Sequence, residues 1–249
     1  MEQELDQREG STAEPSGPET KKPVAELFGA KPITREERQP LTQVDEQYFV
    51  RRAISKEVVA ERGYFRVSDE TARKLGLPKL AGMVLPIRGI NRNGVQLKPD
   101  VPEAKDGGLK KYVLPSARVQ LPMLDVLRHG KLSDIAFPLL VTESIPKADA
   151  ATTAWGDKLL AIGMIGVFGF RGQRSNGAKL ALPCWELVAL NGRTVFLVPD
   201  GNVRTNRQVY SATVRLRSFL ESRGAKVHVV VLPDELGLDD WLHSMEKTA

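Results

Sequence analysis

Among 249 residues the chain has one cysteine, Cys184, so no disulfide can close within it. Its three histidines, His129, His228 and His243, are too few to complete a Cys/His zinc module with that one thiol. No apolar run approaches the roughly 20 residues needed to span a bilayer. The first residues, Met1-Glu2-Gln3-Glu4-Leu5-Asp6-Gln7-Arg8, lack the basic start and apolar middle of a secretion signal. These absences predict a soluble, cytoplasmic protein with no membrane partner. The glycines between 163 and 177 show neither GxxxxGK[ST] nor GxGxxG spacing, which disfavours a nucleotide P-loop. There is no internal repeat. Cys184 beside Trp185 reads as packing, His228 as part of an apolar strand, and His129 and His243 as surface residues.

What is present is ordinary in bulk and uneven in distribution. Hydrophobic residues make up 41% and charged residues 27%, as in soluble globular proteins. Residues 1–50 carry 6 Lys/Arg against 11 Asp/Glu, residues 51–132 carry 17 against 8, and residues 133–249 carry 13 against 12. A strongly basic middle segment suits a polyanionic partner such as nucleic acid, and equally suits a solvated face with no partner. Residues 1–44, rich in Glu, Pro, Ser, Gly and Thr, are expected to form a disordered acidic tail.

Residues 45–132 are expected to form a small basic α+β lobe. A helix is predicted from Asp45 to Arg62, stopped by Gly63, and a second from Asp69 to Leu75 behind a Ser68 cap signal. Short strands follow at Met83–Ile87, Val95–Lys98 and Tyr112–Leu114, then a helical turn at Met123–Arg128.

Residues 133–249 alternate between strand and helix, and three apolar runs there end in acid. Phe137 to Thr142 leads into Glu143, Arg193 to Pro199 into Asp200, and Lys226 to Pro233 into Asp239 and Asp240. Continuous β-branched and aliphatic runs are the mark of strands buried on both faces of a parallel sheet. Right-handed crossovers place all their carboxyl ends at one edge, where open α/β sheets hold ligands. Carboxylates gathered there need a positive partner, and a hard divalent cation is the usual one.

Four segments occur in order: Thr142-Glu143-Ser144-Ile145-Pro146-Lys147-Ala148-Asp149-Ala150, Gly166-Val167-Phe168-Gly169, Pro199-Asp200-Gly201-Asn202-Val203 and Gly237-Leu238-Asp239-Asp240-Trp241-Leu242. Together they resemble the Toprim-like domain of phage, plasmid and mobile-element replication primases. In that family the motifs read roughly TEGxxKADA, DSD and GxDD(Y/W)L. Upstream, Gly82 to Ile87, Leu97-Lys98-Pro99-Asp100 and Lys110-Lys111-Tyr112 are similar to the basic lobe that precedes the Toprim core of DnaG-type primases. The resemblance covers about residues 45–245.

The resemblance implies an α/β fold of Toprim type, with a Rossmann-like, mostly parallel sheet flanked by helices and a smaller basic α+β lobe ahead of it. It implies Mg²⁺- or Mn²⁺-dependent nucleotidyl transfer on a single-stranded DNA template. Glu143, Asp200, Asp239 and Asp240 would be catalytic, and the same four with Asn202 would hold metal. Lys147, Arg88, Lys98, Lys110 and Lys111 would meet phosphates of the template or of incoming nucleoside triphosphates. With no zinc module or attached helicase, template recognition or unwinding would come from partners such as a replicative helicase, or from the basic lobe.

The sequence departs from the family pattern twice. Ser144 stands where a glycine is usual, and Asn202 replaces the second acid of DSD with a weaker cation ligand. Two other classes therefore stay open: a non-catalytic nucleic-acid-binding relic that recruits a helicase, and a metal-dependent nuclease. Each acid also has a plainer reading. Asp239-Asp240 suits a first helical turn, Asp200-Gly201-Asn202 an ordinary turn, and Glu143 a helix start.

Overall fold

A computed structural model of the chain describes residues 33–105, 108–116, 122–173, 176–233 and 236–246. The first 32 residues of the expected tail lie outside it. Residues 33–42 pack onto the fold, with Gln39 and Arg66 exchanging backbone hydrogen bonds at 2.9 Å.

The helix expected from Asp45 to Arg62 is two helices, α1 (Gln43–Val50) and α2 (Lys56–Arg62). Thr42 and Asp45 close a capping box on α1. The break falls at Ala53, whose φ of 50° is left-handed, and Ser55 then caps α2. Phe49, Ala53 and Ile54 are all buried around this break. Gly63, at φ 74°, ends α2 as expected.

β1 (Phe65–Val67), α3 (Asp69–Lys74), β2 (Gly82–Ile87) and β3 (Gly94–Pro99) follow, the strands forming an antiparallel sheet in the order β1-β2-β3. A small hairpin, β4 (Glu103–Lys105) with β5 (Gly108–Lys110), forms a separate two-stranded sheet. The expected strand Tyr112–Leu114 is a single bridge, Val113 to Leu97. Met123–Arg128 is not helical. Asp125 instead bridges Gly89 on one side and Gly163 on the other, stitching this sheet to the next.

The second sheet consists of β6 (Leu139–Thr142), β7 (Leu160–Gly163), β10 (Thr194–Val198) and β11 (Lys226–Val229), in the order β11-β10-β6-β7 with every pairing parallel. The crossovers are α4 (Ile145–Trp155) from β6 to β7 and α5 (Arg207–Ser222) from β10 to β11. A short hairpin, β8 (Arg171–Gln173) with β9 (Lys179–Ala181), and the closing helix α6 (Leu238–Glu246) complete the chain. β11 is shorter than the run to Pro233, because Val230 makes the last ladder bond, to Leu197, and Val230 and Val231 are exposed.

The period of two in each strand sorts side chains to two cores. Leu140, Ala161 and Val198 face α4 and α6, together with Ala148, Ala151 and Leu242. Leu139, Val141, Ile162, Val195 and Leu197 face α5, where Leu216 and Leu220 meet them. The first of these cores also takes in Phe49, Ile54, Val58, Met83, Leu85 and Ile87, so the basic segment and the parallel sheet share one hydrophobic cluster.

Because α4 and α5 cover opposite faces, the strand order reverses between β6 and β10. That point is where a doubly wound sheet opens a crevice at its carboxyl edge.

Candidate active site at the carboxyl edge of the parallel sheet

Glu143 follows β6 directly and Asp200 lies two residues beyond β10, so the reversal point sets the two carboxylates on adjacent strand ends. Lys147, in the first turn of α4, reaches both. Its Nζ donates to Glu143 Oε1 at 3.1 Å and also to Asp200 Oδ1. Glu143 is held from behind, its carbonyl accepting from Gly166 N at 3.0 Å, and its residue is only 8% exposed. Ser144 needs none of glycine's freedom here. Its φ is −152°, and its hydroxyl caps α4 by accepting from Lys147 N.

Burial, and then a hydrogen bond to Asp200, push the Glu143 pKa up to about 7, against the opposing pull of Lys147. Burial also works against ionisation of Asp200, but the bond from Glu143 and the Lys147 ammonium outweigh it and hold its pKa below the usual carboxylate value. One carboxyl is thus poised near neutrality and the other is firmly ionised, the division of roles seen where two carboxyls share a proton. Lys147 is itself disfavoured by burial, yet the two carboxylates raise its pKa.

Asp239 and Asp240 open α6, but they do not join that pair as a third carboxylate. Asp239 is wholly buried and takes an ion pair from Arg52, while Asp240 is exposed. Among the described residues no three His, Cys, Asp or Glu side chains come together as a metal-holding group. Lys147 and Arg52 supply positive charge among these carboxylates. The two halves of the edge nonetheless meet at Gly237. A Cβ there would stand 2.8 Å from Asp239 Oδ1, 3.0 Å from Lys147 Cε and 3.3 Å from Asp240 Oδ2. Gly201 N donates to Leu236 O at 2.9 Å, pinning the turn after β10 against the approach to α6.

The basic segment closes over this edge. The Arg52 guanidinium lies 4.9 Å from the Tyr48 ring centre and Lys98 Nζ lies 5.3 Å from the same ring. Tyr48 and Tyr112 share a hydrogen bond at 2.7 Å, and burial raises both phenol pKa values. Lys98 therefore shares the Tyr48 ring with Arg52, whereas Lys110 and Lys111 are exposed just ahead of Tyr112 in the chain. Arg88 is occupied with the fold, its guanidinium donating to the Arg62 carbonyl at 3.0 Å.

Two features escaped the sequence. Arg52 carried no motif. A buried ionic network also lies under α4. Arg62 bonds Asp149 through Nε (2.9 Å) and Asp125 through Nη1 (2.5 Å), while the Tyr64 hydroxyl donates to Asp149 at 2.6 Å. Arg62, Asp125 and Asp149 are all fully buried. Asp149 belongs to the Lys147-Ala148-Asp149-Ala150 segment, and its role is to lock α4, and with it Lys147, to the basic segment.

A hard divalent cation at this edge would find two paired carboxylates, Glu143 and Asp200. Glu143 and Asp200 offer adjacent carboxylate oxygens, and Asn202 Oδ1 and Asp239 Oδ1 are buried with no hydrogen-bond partner. Unsatisfied buried oxygens are costly unless they await a ligand. Asp239 is already neutralised by Arg52, and the Lys147 ammonium sits against both members of the carboxylate pair.

A family model described as a domain of unknown function (DUF3854) matches residues 131–249, slightly under half of the chain. No curated protein matches the sequence. Among solved structures, a DNA primase domain from Pseudomonas aeruginosa is 13% identical, with 89% of this chain and 75% of that chain covered at a TM-score of 0.56. The DnaG catalytic core is 17% identical, with 85% and 71% covered at 0.55. A DnaG primase catalytic domain bound to single-stranded DNA is 17% identical, with 84% and 70% covered at 0.53. At such identities the likeness is one of fold, and the fold is that of DnaG-type primase catalytic cores, with their Toprim sheet.

Proposed function

We propose that the chain is a primase-like protein of phage, plasmid or other mobile-element replication. In this reading it carries out nucleotidyl transfer on a single-stranded DNA template at the Glu143–Asp200 edge. The observation that carries the reading is the placement of Glu143, Lys147 and Asp200 at the strand-order reversal of a sheet shared with DnaG-type cores. A solved relative of that fold is bound to single-stranded DNA. Residues 45–132 serve as the strand-binding lobe and residues 133–249 as the Toprim-like domain.

Asp200 and ionised Glu143, with Asn202 and the Asp239-Asp240 turn beside them, are the residues to hold Mg²⁺ or Mn²⁺. When bound, that ion neutralises phosphate charge and orients an in-line displacement. Where Glu143 does not ligate the ion, its pKa of about 7 suits it to take the proton of the attacking hydroxyl at Oε and return one to a leaving group. Lys147 then exchanges its carboxylate partners for a phosphate. Lys98 and Arg52 face the phosphates of strand or triphosphate across the Tyr48 ring, and Lys110 and Lys111 extend that track.

A second reading, a nucleic-acid-binding module without catalysis that recruits a replicative helicase, draws on two observations. Lys147 already satisfies the carboxylate pair, and Asn202 stands where the family has an acid. Labelled nucleotide, single-stranded template and Mg²⁺ or Mn²⁺, with native protein beside Glu143→Gln, separate the readings. Oligomers made only by native protein support the primase. Shortened template marks a nuclease, and template bound without reaction by both proteins favours the binding module.

A further inference from the structure

The loop after β7 is built too tightly for ordinary residues. Gly166 has φ 82°, and Gly169 donates to the Gly166 carbonyl at 2.9 Å. A Cβ on Gly169 would fall 2.6 Å from Ile165 N. This loop is tied to the Glu143 backbone through Gly166 N. Val167 and Phe168 line a cavity of about 520 Å³, together with Pro115, Pro122 and Met123 from the basic segment. Val167 also lines the niche beside Glu143, so the cavity adjoins the carboxyl edge. Among the described residues its lining side chains are apolar except for Arg171, whose guanidinium lies 4.3 Å from the Phe168 ring centre.

We propose that this cavity is a nucleobase pocket, in which one unstacked base of the single strand lies on the Phe168–Arg171 ledge. The inference rests on the nucleic-acid reading above and adds the element that reading lacks, a grip on bases as well as on phosphates. The volume falls within the ~300–1,000 Å³ of small-molecule sites. Apolar side chains such as Val167, Phe168 and Met123 receive the faces of a base. An Arg plane stacked on an aromatic ring is a surface on which unpaired bases of either nucleic acid lie. Lys98, Arg52 and Lys147 stand at the neighbouring edge to hold phosphates, so one strand reaches both with its backbone on the cations and a base turned inward.

The test is binding of a fluorescent 12-nucleotide single strand, and of the same strand with abasic sites at its centre, at one fixed salt concentration. Native protein is expected to bind the abasic strand about tenfold more weakly, in keeping with one lost stacking contact. Phe168→Ala is expected to bind both strands alike, at the native protein's abasic level, and Phe168→Trp to restore the difference. Phe168 is half-buried, so Arg171→Gln, which leaves the ring in place, supplies a second variant expected to narrow the difference. Equal native binding of the two strands overturns the pocket and leaves the strand-binding reading standing, as does full discrimination by Phe168→Ala. Native protein that binds neither strand overturns both.

Discussion

Arg52, just past α1, donates to Asp239, a wholly buried carboxylate in the first turn of α6 that is 187 residues away in sequence. The pair joins the basic segment to the carboxyl edge and leaves Asp239 Oδ1 without a partner. Removing one member of such a pair strands a buried charge. Arg52→Met should therefore destabilise the protein by about 2 kcal/mol in urea unfolding, a value discounted because Arg52 is partly exposed. Arg52→Met combined with Asp239→Leu should recover most of the loss, since no charge is then left unpaired. An additive loss in the double variant would show that the two residues act separately.

The network beneath α4 should matter more to stability, because no member of it reaches solvent. Arg62→Met leaves Asp125 and Asp149 buried without their cation and should cost about 3–5 kcal/mol. Denaturant midpoints would record it, and a change under 1 kcal/mol would contradict the role given to Arg62.

Glu143 gives a pH signature of definite sign. Its folded pKa of about 7 lies above the ordinary value of 4.5, so the folded state holds the proton more tightly than the unfolded chain. The resulting stabilisation is complete below about pH 4.5 and is lost as pH rises toward and through 7. Asp200, with its pKa lowered, acts in the opposite sense, and its contribution is lost only as pH falls through its depressed value. Glu143→Gln should flatten the fall in stability between about pH 4.5 and 7. An unchanged slope would show that Glu143 does not hold its proton there.

Lys147 and Lys98 should reveal themselves through salt. If each neutralises one phosphate, Lys147→Met or Lys98→Met should weaken single-strand binding for every sequence and lower the slope of log affinity against log salt by about 1. A loss of affinity with the slope unchanged would assign these residues to folding.

Much of this edge was readable from the chain because strand ends are local. The apolar runs before Glu143 and Asp200 dictate parallel strands, and handedness then brings the acids to one side. What the sequence hid is what contacts at long range decide. Ala53 adopts a left-handed conformation that no propensity foretells, so one expected helix became two. Asp125 looked like part of a helical turn, but its backbone pairs with both Gly89 and Gly163 and its carboxylate takes Arg62 from another element. Arg52 carried no periodic or motif signal, and only tertiary packing sets it against Asp239. Pattern placed the acids at the strand ends, but it could not place Lys147 against Glu143 and Asp200 or Arg52 against Asp239.

On the proposed function, the Glu143–Asp200 pair accepts a divalent cation in exchange for the Lys147 ammonium. Mn²⁺ titration followed by electron paramagnetic resonance addresses it directly, using native protein, Asp200→Asn and Lys147→Met. We expect about one Mn²⁺ per native chain, at least tenfold weaker binding in Asp200→Asn, and tighter binding in Lys147→Met, where the competing charge is gone. Mn²⁺ binding that is absent even from Lys147→Met, or unchanged by Asp200→Asn, would contradict it.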